Sequence, residues 1–173
     1  RHSPPAMGAP LNKPRTPFSQ MFVAKESKFV ESYNNRLRYH EEGQRCLKMA
    51  ADAAGQFEKL LLESSLLHGK VIPRISFVST AVFRLRDEDR PGGLRYVTCE
   101  PFMKGEFIKY NSNNGYVRKA ADHQGSERTL FEDLPQAFTH WSYDASDGKS
   151  MICDIQGCAR GDAEHRWTDP QVL

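Results

Sequence analysis

The sequence has no apolar run near the ~20 residues that a membrane-spanning helix needs, and no apolar h-region near its start to mark a secretory signal. Membrane and secretory roles are therefore not expected. It also lacks a charge excess: 24 Lys and Arg face 22 Asp and Glu, a formal net charge of +2, and no basic stripe interleaves with aromatics. That argues against a nucleic-acid partner, which needs clustered cations. Cysteines number only four. Without a secretory signal they are read as reduced thiols, and a cytoplasmic protein is the expectation. Cys153 and Cys158 are followed by His165, but this spacing matches no common zinc motif.

What is present is enough for one moderate core in 173 residues. The start at Arg1 and the stop at Leu173, three residues after Pro170, read as the ends of a fragment. Residues 1–20 hold five of the ten prolines and few large apolar side chains, which predicts a disordered or extended arm. Met21-Phe22-Val23-Ala24-Lys25 then reads as a short strand with a solvated terminal lysine. Residues Glu31 to Glu63 predict a helix, with Gly43 and Gly55 as the places where it could break. Its core face is Leu47, Ala50, Ala54, Phe57 and Leu61, spaced by three and four.

From Arg74 to Leu85 the pattern changes to period two, with Ile75, Phe77, Ser79, Ala81, Phe83 and Leu85 on one side. The Asp87–Gly93 stretch, DEDRPGG, is a turn signal, and Leu94 to Cys99 resumes alternation, so a hairpin is predicted. Pro101 lacks an amide hydrogen and is expected to release the backbone around Glu100 from the sheet. Ala120 to Asp133 is polar and predicts a surface loop. A helix follows, with Asp133 as cap, Pro135 near its start, and Ala137, Phe138 and Trp141 on one face. His140 on that helix reads first as a satisfied core histidine. Met151-Ile152-Cys153 delivers Asp154, followed by Ile155, Gln156 and Gly157. Two readings stand for Asp154: an Asp-x-x-Gly turn, or a carboxylate at a strand mouth compensated by a cation at an active site.

Four segments, in order, resemble the alpha-kinases, a family of atypical serine/threonine protein kinases. They are Glu100-Pro101-Phe102 running on through Lys104 to Asn113; Gln136-Ala137-Phe138-Thr139-His140; Cys153-Asp154-Ile155-Gln156-Gly157; and Thr168-Asp169-Pro170-Gln171. The first is most like the elongation factor 2 kinase branch. The resemblance implies an α+β, two-lobed protein-kinase-like fold incomplete at both ends, with residues 21–99 as the N-terminal lobe and 100–173 as the start of the C-terminal lobe. It also implies ATP and magnesium as cofactors and a protein substrate. In the alpha-kinases a strand like Val23-Ala24-Lys25 carries the lysine that reaches the nucleotide phosphates, so the resemblance gives that role to Lys25, and Glu100 lies at the lobe junction where adenine is bound through the backbone. Lys109 and the polar turn-forming run Asn111 to Asn114 make nucleotide or lobe-linking contacts, and Glu41 or Glu42 pairs with Lys25. Asp154 binds magnesium or orients the acceptor hydroxyl, Gln156 adds a neutral oxygen ligand because it points the same way in an extended segment, and Asp169 is a second required carboxylate.

His140 matches a ligand of the family's structural zinc. The partner ligands of that zinc lie beyond Gln171 in the family, so zinc is expected only where they are supplied. Calmodulin is implied by resemblance alone, and no basic amphipathic target helix is visible. The segment between Asp154 and Asp169 is longer than the family's, which leaves the position of Asp169 open. The alternative reading is a catalytically inactive remnant that binds nucleotide or serves as a protein-interaction surface.

Overall fold

The computed structural model describes residues 20–27, 37–118, 133–160 and 163–173. Most of the proline-rich arm, the first residues of the predicted helix and nearly all of the 120–133 loop lie outside them. Two helices and nine strands are described, an α+β arrangement as expected. Strands β1 (Phe22–Lys25), β3 (Ala81–Arg86) and β4 (Leu94–Pro101) form one antiparallel sheet in the order β1-β4-β3. A second sheet has the order β2-β8-β7-β5, from Arg74–Phe77, Glu164–Thr168, Gln156–Arg160 and Ile108–Lys109 respectively. The last pair is β6 (Ile152–Cys153) with β9 (Gln171–Val172).

Helix α1 runs unbroken from Leu37 to Glu63, through both glycines. Its burial explains why. Ala50, Ala54 and Phe57 are buried, with Leu47 and Leu61 packed beside them, so one continuous apolar face outweighs the ~1 kcal/mol that each glycine costs. On its outer side Arg38–Glu42, Lys48–Asp52 and Lys59–Glu63 pair at i,i+4. The cation comes first in each, the weaker orientation, so these exposed pairs add at most a few tenths of a kcal/mol apiece. Helix α2 (Leu134–Ala145) carries Pro135 in its first turn, but the Asp133 side chain makes no cap bond. The Asp133 carbonyl instead accepts from the Gln136 and Ala137 amides at 3.0 and 2.9 Å.

The core lies between the helices and the second sheet. Phe138 of α2 meets Trp167 of β8 at 5.3 Å between ring centres and Phe57 of α1 at 5.6 Å, while Phe77 of β2 meets Trp167 at 5.6 Å. Each such buried ring contributes roughly 2–3 kcal/mol from its removed apolar surface. Trp141 joins this cluster as expected, whereas Ala137 faces solvent.

Two expectations about the sheets are corrected. Arg74 to Leu85 is not one strand. It breaks at Val78 to Thr80, and β2 leaves to pair in parallel with β8, with Ile75 and Phe77 buried, while Ala81, Phe83 and Leu85 of β3 are exposed. An unbroken period-two pattern cannot reveal that the chain changes sheets. Nor does Pro101 release β4, because it stays in register with Phe22 and Phe102 N–H donates to Met21 C=O at 2.8 Å. β3 reaches only as far as Cys99, so Pro101 stands where β4 has a single neighbour and its missing donor leaves no ladder bond unmade.

Gly55 is exposed, helical, and has open space where a Cβ would stand. Gly55→Ala is expected to raise stability by about 0.5–1 kcal/mol, read as a higher urea midpoint with an unchanged slope.

Candidate active site

A cleft of about 520 Å³ opens between α1, the ends of β1 and β4, and the loops carrying Asp154 and Asp169. Lys25, at the end of β1, sends its ammonium into a cluster of oxygens. It lies 2.7 Å from Glu100 Oε1 of β4 and 2.6 Å from Asp169 Oδ2, and donates weakly at 3.4 Å to Thr168 Oγ1. The two ion pairs differ in worth. The Asp169 side chain is 46% exposed and screened by water, whereas that of Glu100 is 4% exposed, so the Glu100 pair is the one the fold depends on. The other Glu100 oxygen accepts the Thr168 hydroxyl at 2.5 Å.

Asp154 lies on the same cleft, its side chain 13% exposed, with Oδ1 2.5 Å from Lys109 Nζ of β5. Its backbone is left-handed at φ 62°, and so is that of Asp169 at 49°. Side chains with a Cβ rarely adopt this conformation, and Asp tolerates it better than most. Because Asp154 is not extended, Gln156 does not simply repeat its direction. The Gln156 amide instead stands 3.5 Å from Asp169 Oδ2, at the outer limit of a hydrogen bond.

The register explains how Asp169 arrives despite the long intervening segment. β7 and β8 form an antiparallel hairpin pairing Gln156 with Thr168 through to Arg160 with Glu164. The base of the hairpin, where Gln156 faces Thr168, brings Asp169 back beside Gln156 and Lys25. Near that base Gly157, φ 152°, is pressed against β8: an added Cβ would stand 2.1 Å from Arg166 O and 2.9 Å from Trp167 Cα.

Lys25, Glu100, Asp154, Gln156, Asp169 and Lys109 are thus brought together. Three expected placements change. The helix carboxylates do not pair with Lys25, since Glu42 binds Arg38 at 3.0 Å and Glu41 is exposed; the partner is Glu100. The Glu100 backbone remains in the ladder opposite Val23, so its contribution to the site is its side chain. His140 stands exposed on α2, and the described residues hold no group of three or more His, Cys, Asp or Glu arranged for a metal. Its reading as a core histidine fails for the same reason of exposure.

Two residues escaped sequence reasoning, and a third, Asn111, was legible only as part of a polar turn-forming run. Thr168 lay inside a quoted motif, but its hydroxyl role depends on β8 reaching β4. Asn111, 3% exposed, accepts from the Ile155 amide at 2.9 Å and donates to Gln136 Oε1 at 3.1 Å and Thr139 Oγ1 at 3.0 Å. His40 lines the cleft, with Nδ1 2.9 Å from Thr98 Oγ1 and a buried Nε2 that has no hydrogen-bond partner among the described residues. Its one sequence signal was a histidine three residues before the helix glycine.

The alpha-kinase family profile matches residues 13–173, and the chain belongs to that family. It is similar to alpha-protein kinase vwkA of Dictyostelium discoideum, 30% identical over 87% of this chain and 21% of vwkA. It is also similar to human eukaryotic elongation factor 2 kinase, 31% identical over 70% of this chain and 14% of that protein. Among solved structures, the ATP complex of the inactive alpha-kinase domain of myosin-II heavy chain kinase A superposes with a TM-score of 0.63 at 26% identity. That match covers 87% of this chain and 50% of the other; the ADP complex of the same kinase domain gives 0.61, covering 95% and 57%. The chain thus spans about a fifth or less of these curated relatives and about half of the solved domain.

Burial holds the His40 imidazole below its usual 6.5, with Glu26 pulling weakly the other way. A folded pKa below the unfolded one means that the unfolded chain binds the proton more readily. His40 therefore contributes stability that is fully present above about pH 6.5 and is lost as pH falls through its lower folded value. Denaturant titrations at pH 7.5 and 5.5 should show a larger loss for the parent chain than for His40→Gln. Gly157→Ala should cost about 3 kcal/mol or more, measured by thermal denaturation, because backbone rather than a movable side chain blocks the new atom.

Proposed function

We propose that this chain carries part of the catalytic machinery of an ATP-dependent protein kinase that transfers the γ-phosphoryl group to a serine or threonine hydroxyl of a protein substrate. The observation that carries the reading is the cleft itself. It gathers one ammonium fixed by a buried carboxylate, Lys25 on Glu100, with two carboxylates, Asp154 and Asp169, held in left-handed backbone. Phosphoryl transfer asks chiefly for such positioned charge and for little covalent chemistry from the protein.

Lys25 would hold phosphate oxygens as a point charge, its approach set by Glu100 and Thr168. The donor set suits a hard divalent cation. Asp154 would supply a carboxylate oxygen, and it already holds a cationic group, the Lys109 ammonium; Gln156, whose amide nitrogen is turned to Asp169, would add its oxygen from the Asp169 side of the cleft. Magnesium, when bound, neutralises phosphate charge. The less exposed Asp154 is assigned to that cation, and the more exposed Asp169 to orienting the acceptor hydroxyl. Lys109 would keep Asp154 aimed and add positive potential along the phosphate path. Zinc does not fit the described residues, since His140 has no ligating partners among them, and no step is assigned to it. Four free thiols suit a reducing compartment, and we place the protein in the cytoplasm.

The test is magnesium-dependent transfer from γ-labelled ATP to a generic basic protein by the chain and by its Asp154→Ala and Lys25→Met forms. Transfer should fall at least about 100-fold in each variant. ATP binding should weaken in Lys25→Met and persist in Asp154→Ala. Transfer unaffected by Asp154→Ala would overturn the assignment. ATP binding without transfer by any form would favour the inactive nucleotide-binding module.

A further inference from the structure

Asn111 joins three parts of the chain that sequence order keeps apart. Its carboxamide makes three hydrogen bonds, accepting from Ile155 N–H and donating to Gln136 and Thr139 on α2. Gln136 Nε2 donates back to Tyr110 C=O at 2.8 Å, and the Tyr110 and Asn111 amides both donate to Ile155 C=O, at 2.9 and 3.4 Å. The end of β5, the helix α2 and the turn after β6 are thereby closed into one buried polar network.

The bond to Ile155 N–H has a particular consequence. That N–H belongs to the peptide plane joining Asp154 to Ile155, so holding it fixes the ψ rotation of Asp154. Asp154 already sits at φ 62°, a conformation that persists only where the surroundings hold it. With Asn111 anchored on α2, and Gly157 wedged against β8 three residues beyond Asp154, the backbone that carries the carboxylate is held on both sides while the carboxylate faces the cleft and Lys109. Neither Asn111 nor its partners Ile155, Gln136 and Thr139 makes a hydrogen bond or ion pair with Lys25, Glu100 or Asp169.

We propose that Asn111 is the positioning residue for Asp154, setting its carboxylate through the 154–155 peptide while leaving the Lys25–Glu100–Asp169 cluster untouched. The kinetic consequence rests on the kinase reading above; the structural consequence does not. Removing the carboxamide leaves a buried amide donor unpaired and lets the peptide rotate. Displacement of a reacting group by about 1 Å costs on the order of 100-fold in rate.

The experiment uses the 173-residue chain, with Asn111→Ala, Asn111→Asp and Thr139→Val. Asn111→Ala should lower kcat about 100-fold while the KM for ATP stays within about threefold. Asn111→Asp, which keeps volume and the acceptor for Ile155, should recover at least about tenfold of that loss. Hydrogen exchange at the Ile155 amide is measured in parallel, and should speed up at least about tenfold in Asn111→Ala relative to neighbouring core amides and stay slow in Asn111→Asp. Should Asn111→Ala not fold, Thr139→Val takes its place, with a smaller kcat loss, an unchanged KM and faster Ile155 exchange expected. Equal loss of kcat and ATP binding, or an unchanged kcat in a folded variant, would overturn the proposal. If the parent chain transfers no phosphate, the kinase reading fails separately, and Ile155 exchange alone decides: unchanged protection in the variant rejects the positioning role.

Discussion

A carboxylate buried to 3% exposure in the middle strand of a sheet is the constraint around which this molecule is arranged. Glu100 would destabilise the fold if it stood ionised and alone, since an unpaired buried charge costs several kcal/mol. Two partners compensate it, the Lys25 ammonium from the neighbouring strand and the Thr168 hydroxyl from the other sheet. The same contacts that satisfy Glu100 therefore join β1 and β4 to the end of β8. The residue after Thr168 is Asp169, so satisfying the buried charge also delivers the second cleft carboxylate.

Local strain is concentrated where that junction meets the cleft. Asp154 and Asp169 are two of only three described non-glycine residues with positive φ, and Gly157 lies between them at a backbone approach that no other residue could occupy. Left-handed backbone costs roughly 1–2 kcal/mol per residue and has to be held by its surroundings. Here the holders are identifiable. β6 pairs with β9 on either side of the two aspartates, Cys153 opposite Gln171, while β7 pairs with β8 in the hairpin between them. The turns are fixed at both ends and the side chains are directed by geometry more than by contacts of their own.

The sequence made much of this legible, for stated physical reasons. Periodic apolar residues located α1 and its core face, because burial of one stripe is a local signal; the turn-rich DEDRPGG stretch located the β3–β4 hairpin for a similar reason. The residues at the cleft were found through motif wording, with Lys25, Asp154 and Asp169 all lining it. What escaped was non-local. That Glu100 pairs with Lys25, that Thr168 reaches Glu100, and that β2 deserts β3 for β8 are facts of strand order, which alternation within a strand does not encode. Pro101 misled because proline's effect depends on whether a neighbouring strand needed its amide. Gln156 was misdirected because an extended segment was assumed across a left-handed aspartate.

The central claim is that the buried Glu100–Lys25 pair holds the cleft together, and a double-mutant cycle tests it most directly. Unfolding free energies would be measured for the chain, Lys25→Met, Glu100→Gln and the double variant. The account predicts that each single change is more destabilising than half of the double, with a coupling of about 1–3 kcal/mol, because either one strands a partner that the other removes. Additive single effects, with coupling below about 0.5 kcal/mol, would contradict it and reduce the pair to a proximity without energetic consequence.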